Sequence, residues 1–295
     1  MLRLPRFELL HPASLGEAVS VLAAAGGGAR LLAGGTDLVV DMKLGKARPA
    51  VVVDLKRIPG LGGIERVSGG SRLGALVTAE AIAGSATLRG SHRALWQAAG
   101  VLGSPPVRHM ATIGGNLGRG SPASELTPPL VAYGARTCVT GPGGDREVPV
   151  EDLPAGPGQT CLGPGEVITG VLVPGPAPRS GSAHRKLGKR AGGWDLAIAG
   201  VSAALTLDEA GAVAEARIAL ASVGPTVLRA RRAEGLLLGR VPSDAVLAEA
   251  ARAASADARP IDDLRASAGY RRAVLPVLVR RALEEALLQA QEAPA

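Results

Sequence analysis

The chain has 295 residues, 46% hydrophobic and 20% charged, with a formal net charge of +7. This composition excludes a disordered or fibrous chain and allows one large domain or two ordinary ones. The positive balance comes from arginine, with lysine only at Lys43, Lys46, Lys56, Lys186 and Lys189, and the arginines are neither clustered nor interleaved with aromatic residues, so no nucleic-acid partner is expected.

From the N-terminus, Ser14 and Glu17 form a capping box ahead of Leu15, Ala18, Val19 and Leu22, which recur at helical spacing until Gly26-Gly27-Gly28. Arg30 to Ala33 reads as a short strand, Thr36 or Asp37 as the cap of a helix through Met42, and Val51 to Leu55 as a second strand. Ile64–Val67 and Arg72–Val77 read as a hairpin, and Thr78 as a cap with Glu80 in the first turn of its helix. Ser91 to Leu102 reads as a further helix, after which Pro105-Pro106 is expected to force extended chain. Ser124 to Tyr133 is expected to be helical despite Pro128-Pro129, and 136–140, 146–150 and 166–173 to be strands. The run Pro174-Gly175-Pro176-Ala177-Pro178 marks a candidate boundary. Beyond it come a hairpin of 197–207 with 213–221, then helices over 226–238, 243–256 and 270–289, the last kinked at Pro276, and a frayed tail from Gln291. Strands followed by helices, in segregated order, argue an α+β fold for this second part.

Two stretches stand apart: Leu32-Ala33-Gly34-Gly35-Thr36-Asp37 and Thr112-Ile113-Gly114-Gly115-Asn116. Each runs from β-prone residues into a glycine pair and a small polar residue. Without Cβ atoms the backbone can turn sharply and present several N–H groups to one anion, a nest that needs no lysine. Two such loops could clamp a pyrophosphate; the plainer alternative is a pair of ordinary tight turns in a chain with 41 glycines. Gly118-Arg119-Gly120-Ser121-Pro122-Ala123 satisfies a dinucleotide-binding pattern, but no strand leads into Gly118 and Pro122 would sit inside the turn, so a Rossmann site is rejected. Cys138 and Cys161 form no CxxC, and His11, His92, His109 and His184 are isolated, so neither a metal nor an iron–sulfur site is expected. The N-terminal residues lack a signal-peptide core and no segment is long enough to span a membrane, which makes the cytoplasm the expected location. Arg271, Arg272, Arg280 and Arg281 read as a solvated basic face of the last helix or, more sharply, as a subunit contact.

Four blocks in order carry a resemblance. They are Ala33-Gly34-Gly35-Thr36-Asp37-Leu38 with Met42-Lys43; Thr112 to Asn116 with Ser121-Pro122-Ala123-Ser124-Glu125; His184 to Arg190 with Trp194-Asp195-Leu196-Ala197; and Asp263 to Arg272. Together they resemble the flavin-binding subunit of molybdenum-containing hydroxylases, a family that includes the medium subunit of aerobic carbon monoxide dehydrogenase and the flavin domain of xanthine dehydrogenase. The resemblance implies a two-part FAD-binding domain of the vanillyl-alcohol-oxidase (PCMH) type over 1–176, with subdomains about 1–57 and 58–176. A C-terminal domain of an antiparallel sheet with a helical bundle would follow over 179–290.

The resemblance further implies that 33–37 and 112–116 face the FAD pyrophosphate, with Leu32 at the edge of the first loop. It puts Ser124 and Glu125 near the ribityl chain, where Glu125 stands for a shorter family Asp, and Leu162 and Ile168 along the adenine. Lys186 would approach the flavin, with a surface lysine as the even alternative, and Trp194, beside Gly192-Gly193, would face the isoalloxazine rather than a core. No residue is expected to act as acid or base on a substrate. The implied function is electron transfer: a [2Fe-2S] small subunit, drawing on a molybdopterin large subunit, would feed FAD within a dimer of heterotrimers. The rivals are a stand-alone FAD-dependent oxidoreductase and a non-catalytic nucleotide-binding module.

Overall fold

A computed structural model describes residues 3–190 and 194–293. The first unit is a parallel three-stranded sheet, order β1-β3-β2, made of β1 (Glu8–Leu10), β2 (Ala29–Leu32) and β3 (Val51–Asp54). Its helix α1 (Leu15–Ala24) starts where Ser14 Oγ accepts the Glu17 N–H at 3.2 Å, while the Glu17 carboxylate accepts from Ala13 at 2.8 Å. Helix α2 (Leu38–Lys43) follows the first glycine pair with Asp37 as N-cap, although the Asp37 side chain makes no capping bond. Ala18, Val19, Val53, Leu55 and Leu61 form the small core here.

Next come β4 (Ile64–Val67) and β5 (Gly70–Gly74), then α3 (Ala79–Ala83), α4 (Ala86–Ser91), α5 (Arg93–Gly100), α6 (Pro105–Met110), α7 (Ile113–Gly118) and α8 (Thr127–Ala132). Strands β6 (Arg136–Gly141) and β7 (Gly144–Pro149), a short pair β8 (Pro154–Gly156) and β9 (Gln159–Thr160), and β10 (Val167–Pro174) complete the unit. The main sheet is antiparallel in the order β4-β5-β10-β6-β7. Leu73, Leu95, Ile113, Leu126 and Leu130, all fully buried, join the sheet to its helices.

The last part is an antiparallel sheet β11 (Ser180–Leu187), β12 (Ala199–Leu207), β13 (Val213–Ala221) and β14 (Leu228–Arg229), in that order. Helices α9 (Arg231–Leu237), α10 (Asp244–Asp257) and α11 (Ala268–Glu292) cover it, with Pro276 inside α11. Their core is aliphatic, including Leu205, Leu237, Leu247, Leu275 and Leu283.

Several expectations need correction. Pro105-Pro106 does not force extended chain; both prolines sit in the first turn of α6, where a missing N–H costs no intrahelical bond. The helix expected over 91–102 is interrupted at His92, so that Ser91 closes α4 and α5 begins at Arg93. The helix expected from Thr226 starts only at Arg231, because Leu228-Arg229 pairs with Ala219-Leu220 of β13. Arg271 is not on a solvated face: it is 2% exposed, and it donates to Ile198 O (2.7 Å), Ser222 O (2.8 Å) and Asp263 Oδ1 (2.7 Å).

Helix α5 ties the middle unit to the last sheet. Tyr133 Oη accepts the Ala94 N–H at 3.0 Å and pairs with Ser182 Oγ at 2.7 Å, and burial pushes the Tyr133 hydroxyl up to about 12. Gln97 accepts the His184 N–H at 2.8 Å and donates to Glu285 of α11 at 2.7 Å. These bonds set the even-numbered residues of β11 beneath α5, and the last of them is Lys186.

Candidate FAD site

The two glycine pairs, far apart in sequence, meet in space. A Cβ on Gly34 would lie 1.7 Å from the Met110 carbonyl oxygen, so only glycine lets the first turn press against the chain entering α7. A Cβ on Gly115 would come within 3.9 Å of the Ala33 methyl. Gly35 has φ +76, a left-handed turn that swings the backbone from β2 into α2.

Their amides differ. Among the described residues, none accepts a hydrogen bond from the N–H of Gly34, Gly35, Thr36, Asp37 or Leu38. These consecutive donors lie on half-exposed or exposed backbone, so an anion with several acceptor oxygens would satisfy them together. The second pair was expected to be a similar open loop and is instead the first turn of α7. Ile113 N–H donates to Val77 O (2.9 Å), Gly114 to Ala75 O (2.9 Å), Gly115 to Thr112 Oγ1 (3.1 Å) and Asn116 to Thr112 O (2.9 Å). Gly114 is glycine for packing, since its Cβ would fall 2.7 Å from that of Ala75.

After α7 the chain returns to the same place. Ser124 Oγ donates to Asn116 Oδ1 at 2.5 Å and accepts the Thr127 N–H at 3.1 Å. The adjacent Glu125 carboxylate meets the Lys186 ammonium at 2.8 Å, with side chains 7% and 3% exposed. Lys186 Nζ also donates to Val101 O, at the end of α5, at 3.0 Å. The surface-lysine alternative is thereby overturned: Lys186 is buried between two units of the fold. Burial pushes the Glu125 carboxyl above its usual range, the Lys186 ammonium pulls it back, and the Asp37 carboxylate of the first turn adds to the upward push. That electrostatic coupling links the first turn to the Glu125–Lys186 pair.

Ile168 is buried on β10 beside Gly118, and Leu162 is half-buried against the same core. Trp194 is 64% exposed, which rules out a core role. Its flanking Gly192-Gly193 lies outside the described residues. On either side of that segment Arg190 and Asp195 close on each other, Nη2 to Oδ1 at 2.5 Å, and the guanidinium, aided by Lys186, holds the Asp195 carboxyl below its usual range. Sequence reasoning missed the Glu125–Lys186 pair and the Arg119 contacts with Asp37 and Asp41. No spacing signals either, because each joins elements distant in the chain.

Among the described residues there is no cluster of metal-ligating side chains and no helix long and apolar enough to cross a membrane. The open amides, the side-chain-free contact at Gly34 and the buried ammonium fit a dinucleotide with a diphosphate bridge. The chain belongs to the FAD-binding subunits of molybdopterin dehydrogenases: the family model of the FAD-binding domain in molybdopterin dehydrogenase matches residues 5–176, and that of the CO dehydrogenase flavoprotein C-terminal domain matches 183–286. It is an oxidoreductase flavoprotein whose cofactor is FAD, similar to the FAD subunits of carbon monoxide and xanthine dehydrogenases.

It is 36% identical over 283 residues to the carbon monoxide dehydrogenase medium chain of Hydrogenophaga pseudoflava, covering 96% of this chain and 97% of that one. It is 33% identical over 287 residues to the 6-hydroxypseudooxynicotine dehydrogenase complex subunit alpha of Paenarthrobacter nicotinovorans, covering 97% and 96%. A solved structure of the H. pseudoflava carbon monoxide dehydrogenase, lacking the Mo-pyranopterin moiety of its molybdenum cofactor, superposes with a TM-score of 0.93 over 97% of this chain and 99% of that one.

Proposed function

We propose that this chain is the electron-transfer flavoprotein of a molybdenum hydroxylase. It would take electrons from a [2Fe-2S] small subunit served by a molybdopterin large subunit and pass them to an external acceptor such as a quinone, O2 or NAD+. When bound, FAD supplies storage for two electrons that can be filled and emptied singly. The chain's own residues bind and tune that group. The amides of 34–38 take the diphosphate oxygens. Gly115 leaves the facing side clear, and Asn116, its Oδ1 held by Ser124, offers its side-chain N–H groups. Glu125 and the Val101 carbonyl hold the Lys186 ammonium toward the flavin, where a positive charge favours a reduced, anionic ring. Leu162 and Ile168 line the adenine, and exposed Trp194 covers the ring face.

The observation that carries this reading is the row of unanswered amides at 34–38, whose Asp37 carboxylate acts on Glu125, the partner of the buried Lys186. The architecture we assign is the vanillyl-alcohol-oxidase (PCMH) type, divided at 1–176 and 179–290. The assembly we assign is a dimer of heterotrimers in the reducing cytoplasm, which suits the free thiols of Cys138 and Cys161.

The test is purification of the tagged chain from its native host, with a visible spectrum and metal analysis. Oxidised-flavin bands together with co-purifying iron and molybdenum are expected. Flavin without either metal would contradict the subunit reading, and loss of the flavin bands would contradict the site.

A further inference from the structure

Carboxylates stand at the rim of the amide row, where a diphosphate would add further negative charge. Asp37 is the N-cap of α2, yet its side chain caps nothing. It lies 3.7 Å from Arg119 Nε, and Asp41, one turn further along α2, accepts from Arg119 Nη1 at 2.7 Å. Among the described residues Arg119 is the cation paired with these two carboxylates. It stands at the C-cap of α7, its own N–H donating to Gly115 O at 3.0 Å. One guanidinium therefore ties the end of α7 to the start of α2, across the line where the two glycine pairs meet.

We propose that Arg119 is a positioning residue for FAD: by pairing with Asp37 and Asp41 it offsets carboxylate charge at the phosphate cradle. The inference rests on the reading of 34–38 as the diphosphate site. Arg119 acts through the two aspartates and not on the phosphates. Without it, Asp37 faces the diphosphate uncompensated, and the repulsion weakens with salt as screening shortens from about 10 Å at 0.1 M to about 3 Å at 1 M.

The experiment is titration of the deflavinated full-length chain, in its complex, with FAD, following flavin fluorescence at low and high salt. R119A is expected to weaken FAD binding about fivefold at low salt, as for an exposed ion pair, and less at high salt. D37N alone keeps its amide and loses the rim charge, so it should bind FAD at least as tightly as the parent, and R119A/D37N should recover part of the R119A loss, because the Asp37 charge is gone and Asp41 alone stays unpaired. If R119A/D37N binds no better than R119A, Arg119 acts by direct contact or by packing, and the proposal is overturned. If R119A binds as the parent does while Gly35→Asp loses FAD, the proposal falls and the cradle stands. If both variants bind FAD normally, the cradle reading itself falls.

Discussion

The two glycine pairs look alike in sequence and do different work. Gly34-Gly35 opens a turn in which the five amides of 34–38 have no partner among the described residues, and Gly114-Gly115 opens a helix whose amides are answered by Val77, Ala75 and Thr112. The first glycine of each pair is required because backbone passes close by, Met110 at Gly34 and Ala75 at Gly114. Only the first leaves donors over for a ligand. A small-residue motif thus reports close approach, and whether it also binds depends on where its hydrogen bonds go.

The largest expected effect comes from Gly34→Ala. A methyl 1.7 Å from a carbonyl oxygen cannot be absorbed without parting the turn from Met110. It should cost more than the usual ~1–3 kcal/mol of overpacking and abolish FAD retention. Gly114→Ala, tight against Ala75 at 2.7 Å, should cost about 1–3 kcal/mol in thermal or denaturant unfolding while the folded protein keeps its FAD affinity. Equal loss of FAD in both variants would erase the distinction.

Lys186→Met sharpens the comparison from the other side of the site. It strands the buried Glu125 carboxylate, and breaking such a pair costs about 3–5 kcal/mol. The double variant with Glu125→Leu should recover part of that in urea unfolding. A double variant no more stable than Lys186→Met would argue against the pair.

Next, Gly35→Asp should release FAD completely, as charge and bulk enter the amide row, whereas Gly115→Asp, on the exposed side of α7, should weaken retention less. Retained flavin bands after gel filtration of Gly35→Asp would break the assignment of the first turn.

The smallest effect at neutral pH concerns His184, buried beside Ser202 and held neutral by burial, with its pKa lowered from 6.5 to about 3. Because the folded state binds the proton less readily than the unfolded one, stability should fall as pH drops from 6.5 toward about 3. The contribution of His184 to that slope is at most about 1.4 kcal/mol per pH unit. His184→Gln should flatten it without altering the contrast between the two glycine pairs, as acid unfolding with and without FAD would show.

Local signals were readable in the sequence where a single turn of chain decides the structure. Ser14 and Thr78 cap their helices as their spacing requires, and the 199–207 and 213–221 strands pair about their Gly211 turn. Pro105-Pro106 was misread because proline forbids a helix interior but suits a first turn, and Ser104 ahead of it was the missed cue. Strand β11 carries Ser, His, Arg and Lys and shows no simple alternation, because α5 and α11 both pack against it. Of the site, the two motifs and Lys186 were visible as residues. That one motif is open and the other closed was not, since the acceptors at Val77 and Ala75 belong to the chain leaving a different strand. Nor was buried Arg271, whose partners Ile198, Ser222 and Asp263 are scattered over three segments.

Amide hydrogen exchange of the protein, followed residue by residue with FAD and after its removal, addresses the contrast directly. The amides of 34–38 should exchange fast without FAD and become protected with it, and those of 113–116 should be protected in both. Protection that appears at 113–116 on adding FAD, with 34–38 unchanged, would contradict the account.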